Sequence, residues 1–304
     1  MSTRIAIGID IGGTNIKGVL LNESGDIIHY AVERTKQDDG EPVKWQQDVR
    51  EMVHQLKSKS TEAVAAIGLA APGIPNKTNS AIQIMPGRLD GLEGFMWADY
   101  LKEEKVWVVN DAHAALIAEA KFGAGKNQKN IIMITLGTGV GGGLLINGDL
   151  YQGNCHMAGH LGHVTLDVDK EDPGITGMPG TLENAIGDST VRTRSFGRFT
   201  STQALVEAYL KGDPFASYVW LNSIRKLALA LCSFCNLLSP DLIILGGGIT
   251  RAGDALYKPL GDFIEIYEWK GTGRKTPVQQ ACYNDKAGAV GAAGFALAKM
   301  YPNG

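Results

Sequence analysis

Short apolar runs, broken by glycine-rich turns, open the chain. Ile5-Ala6-Ile7-Gly8-Ile9 and residues 16–21 are brief and rich in β-branched side chains, which predicts two strands. Gly12-Gly13 between them predicts a tight turn, so the pair reads as a β-hairpin. A third strand over 27–32 follows the turn at 22–26. Trp45, Val49, Met52, Val53 and Leu56 then recur at helical spacing, predicting an amphipathic helix over about 43–58. Residues 65–69 read as a buried strand running into the rigid loop Ala71-Pro72-Gly73-Ile74-Pro75. A short helix is expected over 98–103, a strand over 105–109 ending in Asn110-Asp111, and an alanine-rich helix over 112–122.

A polar, glycine-rich link over 123–129 leads to the same pattern again. The apolar stretch 131–135 runs into Gly137-Thr138-Gly139-Val140-Gly141-Gly142-Gly143 and then Leu144-Leu145-Ile146. Two related hairpins far apart in sequence predict two similar α/β domains facing each other across a cleft. Residues 153–188 look irregular; helices are expected over 201–210, 214–238, 252–266 and 287–300. Strands are expected over 242–245, ending in Gly246-Gly247-Gly248, and over 277–281.

A length of 304 residues allows two ordinary domains with sizeable cores. A net charge of -3 favours neither nucleic acid nor an anionic membrane surface as partner. The apolar runs read as too short for a membrane span, and Met1-Ser2-Thr3-Arg4 leads straight into a strand, leaving no room for a signal peptide. Cys155, Cys232, Cys235 and Cys282 form no dense framework, so reduced thiols in a cytoplasmic protein are expected.

The hairpin turns carry candidate chemistry. Glycines at such a turn bare backbone N–H groups that form an anion-binding concavity, here Gly12 and Gly13, with the Thr14 hydroxyl and Lys17 beside them. Asp10 closes the first strand, and its carboxylate calls for a cation, which points to Mg²⁺ on a nucleotide. The plainer reading is a Gly-rich turn with Asp10 as a turn residue. Gly137, Thr138 and Gly139 repeat the arrangement. Gly137 to Gly142 also fits G-x-G-x-x-G, but that fingerprint belongs between a strand and a helix, and here a strand follows. Asp111, where a strand meets a helix, reads either as a general base for a substrate hydroxyl or as a helix N-cap. Cys155, His156, His160 and His163 could be read as a metal cluster, with an incidental grouping favoured. Cys232 and Cys235 on an apolar helix, and Trp97 and Trp107, read as core residues.

Asp10-Ile-Gly-Gly-Thr14, Ala71-Pro72-Gly73, Asn110-Asp111, residues 136–143, Gly159 to His163 and Leu245-Gly246-Gly247-Gly248 occur in this order over nearly the whole chain. In that set the sequence resembles the ROK family of sugar kinases, within the actin-like ATPase superfamily. The resemblance implies two ribonuclease-H-like domains with a cleft between them, one of residues 1–122 plus 286–304 and the other of 123–285. It implies a cytoplasmic homodimer that transfers the γ-phosphoryl group of ATP, with Mg²⁺, to a hexose-type sugar. By the same resemblance Asp111 is the base, Asn110 and Gly73 contact the sugar, and Gly246, Gly247 and Gly248 pass beside the adenosine.

The departures bear on substrate. Where family members commonly carry Gly-Glu-x-Gly-His, this chain has Gly159-His160-Leu161-Gly162-His163. His160 thus replaces a sugar-binding Glu, while His163 and Glu183 keep family positions for touching the sugar. The family's Cys-rich zinc loop reads Pro173-Gly174-Ile175-Thr176-Gly177-Met178-Pro179-Gly180-Thr181, without thiolates, so no structural zinc is expected. Arg88 stands where an Asn is common. Arg88 and His160 together raise an anionic sugar as substrate, against the favoured reading that Arg88 faces solvent and His160 packs. Two rival functions stay open: a non-catalytic ROK-type sugar sensor, and a polyphosphate-dependent glucokinase.

Overall fold

The computed structural model describes residues 4–35, 44–85, 89–169, 177–271 and 273–301. It resolves into two compact units. The first holds the chain through Asn127, the segment Leu150–Ala158 and everything from Cys282 onward. Its hairpin is as expected: β1 (Ile5–Ile11) and β2 (Asn15–Asn22) pair antiparallel from Ile5 opposite Asn22 to Ile11 opposite Ile16. The β3 strand (Ile27–Arg34) extends the hairpin on one side. On the other side β4 (Val64–Ala71) runs parallel to β1, and β7 (Val106–Asn110) parallel to β4. The sheet order is therefore β3-β2-β1-β4-β7. Two short strands unseen in the sequence pattern, β5 (Ile74–Pro75) and β6 (Ile82–Ile84), pair in the loop after β4.

Strand periodicity explains why β1 is apolar throughout. Ile5, Ile7, Ile9 and Ile11 point to one face and pack on Trp45, Val49, Met52 and Leu56 of α1 (Lys44–Ser58). Trp97, in α2 (Trp97–Leu101), is fully buried in this cluster, so it serves packing, as the sequence reading favoured. The opposite face is made of small residues. There α9 (Ala287–Met300), the chain's last helix, lies on the sheet, with α3 (Asp111–Phe122) against it. A Cβ at Gly8 would stand 1.9 Å from the Ala289 carbonyl oxygen, and one at Gly68 1.9 Å from that of Ala292. One at Gly291 would stand 1.7 Å from the Ala114 oxygen.

The second unit holds Gln128–Asp149 and Gly159–Ala281. Its hairpin, β8 (Ile131–Leu136) with β9 (Val140–Ile146), repeats the first. β11 (Leu242–Gly246) runs parallel to β8 and β12 (Val278–Gln280) parallel to β11, giving the order β9-β8-β11-β12 through the longer strands. The two-residue β10 (Asp149–Leu150) follows β9 in sequence. The β9 strand begins inside the glycine run expected to be turn. Gly142 is there for close approach, since a Cβ would stand 2.6 Å from the Gly159 oxygen. The stretch 153–188 is less irregular than expected. It contains α4 (Leu182–Ile186), N-capped by Thr181, whose hydroxyl accepts from the Asn184 N–H at 3.2 Å. A helix of one turn leaves no periodic signal in a sequence.

Beyond it lie α5 (Val191–Arg194), α6 (Thr202–Leu210), α7 (Pro214–Leu238) and α8 (Asp254–Tyr267). The α8 helix starts two residues later than expected, because 248–252 form a 3₁₀ turn and Gly253 sits at φ +56°. One correction concerns α7: among the described residues it is the one helix long and apolar enough to cross a membrane. It also carries Arg225 and Lys226, and its Trp220, Ile224, Leu227, Leu231 and Phe234 are buried in the second core. Burial raises the Cys232 thiol to about 11 and that of Cys235 upward as well, in keeping with core thiols rather than redox groups.

The α9 contact gives a direct test. Gly291→Ala should cost about 1–3 kcal/mol by forcing the helix off Ala114. Gly294→Ala, whose Cβ would meet only side chains, the nearest Phe122 at 3.1 Å, should cost clearly less. Thermal denaturation of both variants checks the order.

Candidate active site

In the first unit the ends of β1, β4 and β7 carry the expected residues. Asn110 ends β7 and is the N-cap of α3: its side-chain oxygen accepts from the N–H groups of Ala112 at 2.9 Å and His113 at 3.2 Å. Its amide nitrogen donates to the Gly73 carbonyl at 3.0 Å. Gly73 has φ +98°, and a Cβ there would stand 2.5 Å from the Ile84 oxygen. Capping is thus done by Asn110, one residue earlier than the plainer reading of Asp111 allowed. Asp111 is the first helical residue, with an exposed side chain whose Oδ1 accepts from the Ala112 N–H at 2.8 Å.

Asp10 is half-buried at the end of β1. Burial first, then the nearby Asp111 carboxylate, raise its pKa from 3.8 to about 7; Lys17 opposes the shift and Asp285 adds to it. The first turn of α9 packs on the same carboxyl, since a Cβ at Gly288 would stand 2.5 Å from Asp10 Cγ. Sequence reasoning missed Gly288; its signal was only one glycine among several in a small-residue helix. Lys17 donates from Nζ to the Asp285 carbonyl at 2.8 Å and lies 3.8 Å from its carboxylate. At the hairpin tip Gly12 N–H bonds the Asn15 oxygen at 3.1 Å and Thr35 Oγ1 donates to the Gly12 oxygen at 2.7 Å, while Gly13 and Thr14 are exposed.

The second unit contains a cavity of about 580 Å³. Gly137 and Thr138 of the second hairpin border it, and so does Gly248. Gly246 and Gly247 do not line it and shape the chain instead. Gly247 turns at φ +89°, where a Cβ would stand 2.3 Å from the Leu136 oxygen. Asp188, Ser201, Thr202, Gln203, Glu207 and Arg251 complete the polar lining; none carried a motif by which sequence reasoning could have found it. The hairpin is braced from behind, for Asp188 N–H bonds the Gly137 oxygen and Ser189 N–H the Thr138 oxygen, both at 2.9 Å. Arg194 holds that brace by donating to the Gly187 carbonyl at 2.6 Å, and burial lowers its pKa to about 10.

Glu183 is buried in α4 and accepts from the Val140 N–H at 2.9 Å; a Cβ on Gly139 would stand 2.3 Å from the same oxygen. It therefore joins the predicted sugar segment to the predicted phosphate hairpin. The His160 and His163 rings stack at 6.1 Å between centroids and 11° between planes. Burial, then His163, lower the pKa of His160. Arg88 and the loop residues Pro173 to Thr176 lie outside the described residues. Among the described residues no three His, Cys, Asp or Glu side chains are grouped to hold a metal ion, so Cys155, His156, His160 and His163 form no such cluster.

The sequence profile of the ROK family matches residues 6–299. The chain belongs to the ROK family. A glucokinase from Halalkalibacterium halodurans is 31% identical, with 96% of this chain and 94% of that protein covered. An N-acetylmannosamine kinase from Vibrio cholerae is 31% identical over 81% of this chain and 84% of its own. Among solved structures, a ROK hexokinase from Thermus thermophilus superimposes with a TM-score of 0.87 at 25% identity, covering 98% of this chain and all 100% of the other. A ROK glucokinase from Streptomyces griseus, in complex with glucose and AMPPNP, does so with a TM-score of 0.77 at 25% identity over 96% and 98% of the two chains.

In this ROK-family chain the raised pKa of Asp10 makes a testable pH effect. A carboxyl raised to about 7 binds its proton in the folded state where the unfolded chain, at 3.8, has lost it. The stability it contributes is complete below that lower value and is lost as pH rises through about 7. Asp10→Asn mimics the protonated form. Its melting temperature should match the wild type near pH 4 and exceed it increasingly up to about pH 8. Paired thermal melts across this range check the sign.

Proposed function

We propose that the chain is an ATP-dependent sugar kinase that phosphorylates a neutral hexose or N-acetylhexosamine, with Asp111 as general base. The observation that carries this reading is the division of labour at the head of α3. Asn110 is the N-cap residue, so Asp111 stands as the first helical residue with an exposed carboxylate, its Oδ1 on the Ala112 N–H. Its position at the C-terminal end of a parallel strand suits a group that takes a proton from a substrate hydroxyl. The Asn110 amide on the Gly73 carbonyl fixes the two segments assigned to sugar contact. The relatives' names support hexose or hexosamine as the acceptor.

Mg²⁺ fits the first unit on its own chemistry. Asp10 and Asp111 repel each other enough to help hold Asp10 toward its protonated form, and a divalent cation would remove that penalty. Asp10 would hold it through water, and the ion would neutralise charge on the transferring phosphoryl group. The hairpin residues Gly12, Gly13, Thr14 and Lys17, and Gly137, Thr138 and Gly139, would orient the phosphates, with Gly248 beside the nucleoside. We read the domains as two ribonuclease-H-like units, residues 1–122 plus 286–304 and residues 123–285; the compact units of the structure differ in placing 123–127, 150–158 and 282–285 with the first. A cytoplasmic homodimer completes the proposal.

His160 favours a neutral acceptor. Its stacked, part-buried ring is held toward the uncharged form, so it lacks the charge that an acidic sugar would need. The His163 Nδ1 is buried without a hydrogen-bond partner among the described residues, which suits a sugar hydroxyl. Glu183, held on the second hairpin, would join acceptor and donor ends.

ADP release across glucose, mannose, N-acetylmannosamine, N-acetylglucosamine and hexuronic acids tests the reading. Sugar-dependent release is expected with neutral members only, and Asp111→Ala should reduce kcat by about 10²–10⁴-fold while ATP still binds. Turnover of the acids alone would remove the role given to His160. Near-normal turnover by Asp111→Ala would remove the base.

A further inference from the structure

The cavity of the second unit separates two kinds of phosphoryl donor. We propose that it admits the nucleoside of a nucleoside triphosphate and rejects inorganic polyphosphate, with Glu207 the residue that recognises the nucleoside. This rests on the kinase reading for its context, but on the cavity for its argument.

A polyphosphate chain carries negative charge along its whole length and needs a run of cations. The lining instead holds two carboxylates, Asp188 and Glu207, against the single guanidinium of Arg251. One place where an anion could have found backbone donors is already taken. The Asp188 carboxylate accepts from the N–H of Thr202 at 2.6 Å, in the first turn of α6. Asp188 cannot swing away cheaply, because its own N–H is bonded to the Gly137 oxygen at 2.9 Å. A phosphate chain extended past Gly137 and Thr138 would therefore meet fixed like charge. Repulsion of the wrong ligand is as effective a source of specificity as attraction of the right one.

A nucleoside meets the opposite situation. Ile249, Val206 and Ala252 give the cavity apolar surface for a base. Gln203 and Glu207 stand one helical turn apart on α6, and the Gln203 amide donates to Glu207 Oε1 at 2.9 Å. That bond engages Oε1 and biases the carboxylate's orientation, so that Oε2 is the oxygen to accept from a ribose hydroxyl or an exocyclic amine. Such groups are neutral donors, which a carboxylate binds and a phosphate cannot imitate.

Displacement of a fluorescent N-methylanthraniloyl ATP, with magnesium present and no sugar, tests the proposal. Unlabelled ATP should displace the probe at concentrations at least about tenfold below those needed of tripolyphosphate or long-chain polyphosphate. Glu207→Gln should weaken ATP by about tenfold and leave tripolyphosphate no weaker than before, narrowing the gap between the two. Glu207→Lys should bring tripolyphosphate closer to ATP. Glu207 is exposed on α6, so both variants should fold. Polyphosphate competing as well as ATP, or Glu207→Gln leaving ATP displacement unchanged, would overturn the proposal. No turnover enters the assay, so a chain that binds ATP selectively yet phosphorylates no sugar would fail the kinase reading and leave this one standing.

Discussion

The contact between α9 and the first sheet is the constraint on which the rest depends. Helix backbone meets strand backbone with no side chain between them at Gly8 and Gly68. Only glycine permits that approach, and only a helix of small residues can make it along its length. The consequence reaches the site. The same approach brings the first turn of α9 to Asp10, with Gly288 at the carboxyl. A residue at the chain's end thus shapes a carboxylate near its beginning.

Electrostatics gives the two units different characters. The first concentrates carboxylates, with Asp111 and Asp285 both raising Asp10 and only Lys17 opposing them. That imbalance makes a cation welcome. In the second, the carboxylates are anchored by backbone donors or by a neighbouring amide, as at Asp188, Glu183 and Glu207. Anchored carboxylates orient neutral donors and repel stray anions. Similar hairpins, in similar sheets, therefore sit in different electrostatic surroundings because of what the neighbouring elements bring to them.

Much was legible in the chain itself. Both hairpins, the existence of the later strands and the boundaries of α7 and α9 follow from apolar periodicity and glycine placement, which are local properties, whereas the parallel pairing of those strands came from the fold. The Asn110-Asp111 pair at a strand-to-helix junction was equally plain. Its division of labour was not: choosing which residue caps the helix needs backbone angles, and Asn110 at φ -60° and ψ 144° takes the role.

What the sequence determined alone was thus the repeated strand-turn-strand unit and the motif residues at its edges, since these depend on neighbours a few positions apart. Tertiary structure decided the rest. Gly246, Gly247 and Gly248 look alike in the sequence; in the fold Gly248 borders the cavity, while Gly247 turns at φ +89° against the Leu136 backbone and neither it nor Gly246 lines that space. Asp188, Gln203, Glu207 and Arg251 carry no motif, and come to border one cavity only when α6, the turn at Asp188 and the turn before α8 meet. The charge of His160 likewise depends on the ring stacked beside it and on burial. Pattern encodes local geometry; desolvation and long-range proximity exist only after the chain has folded.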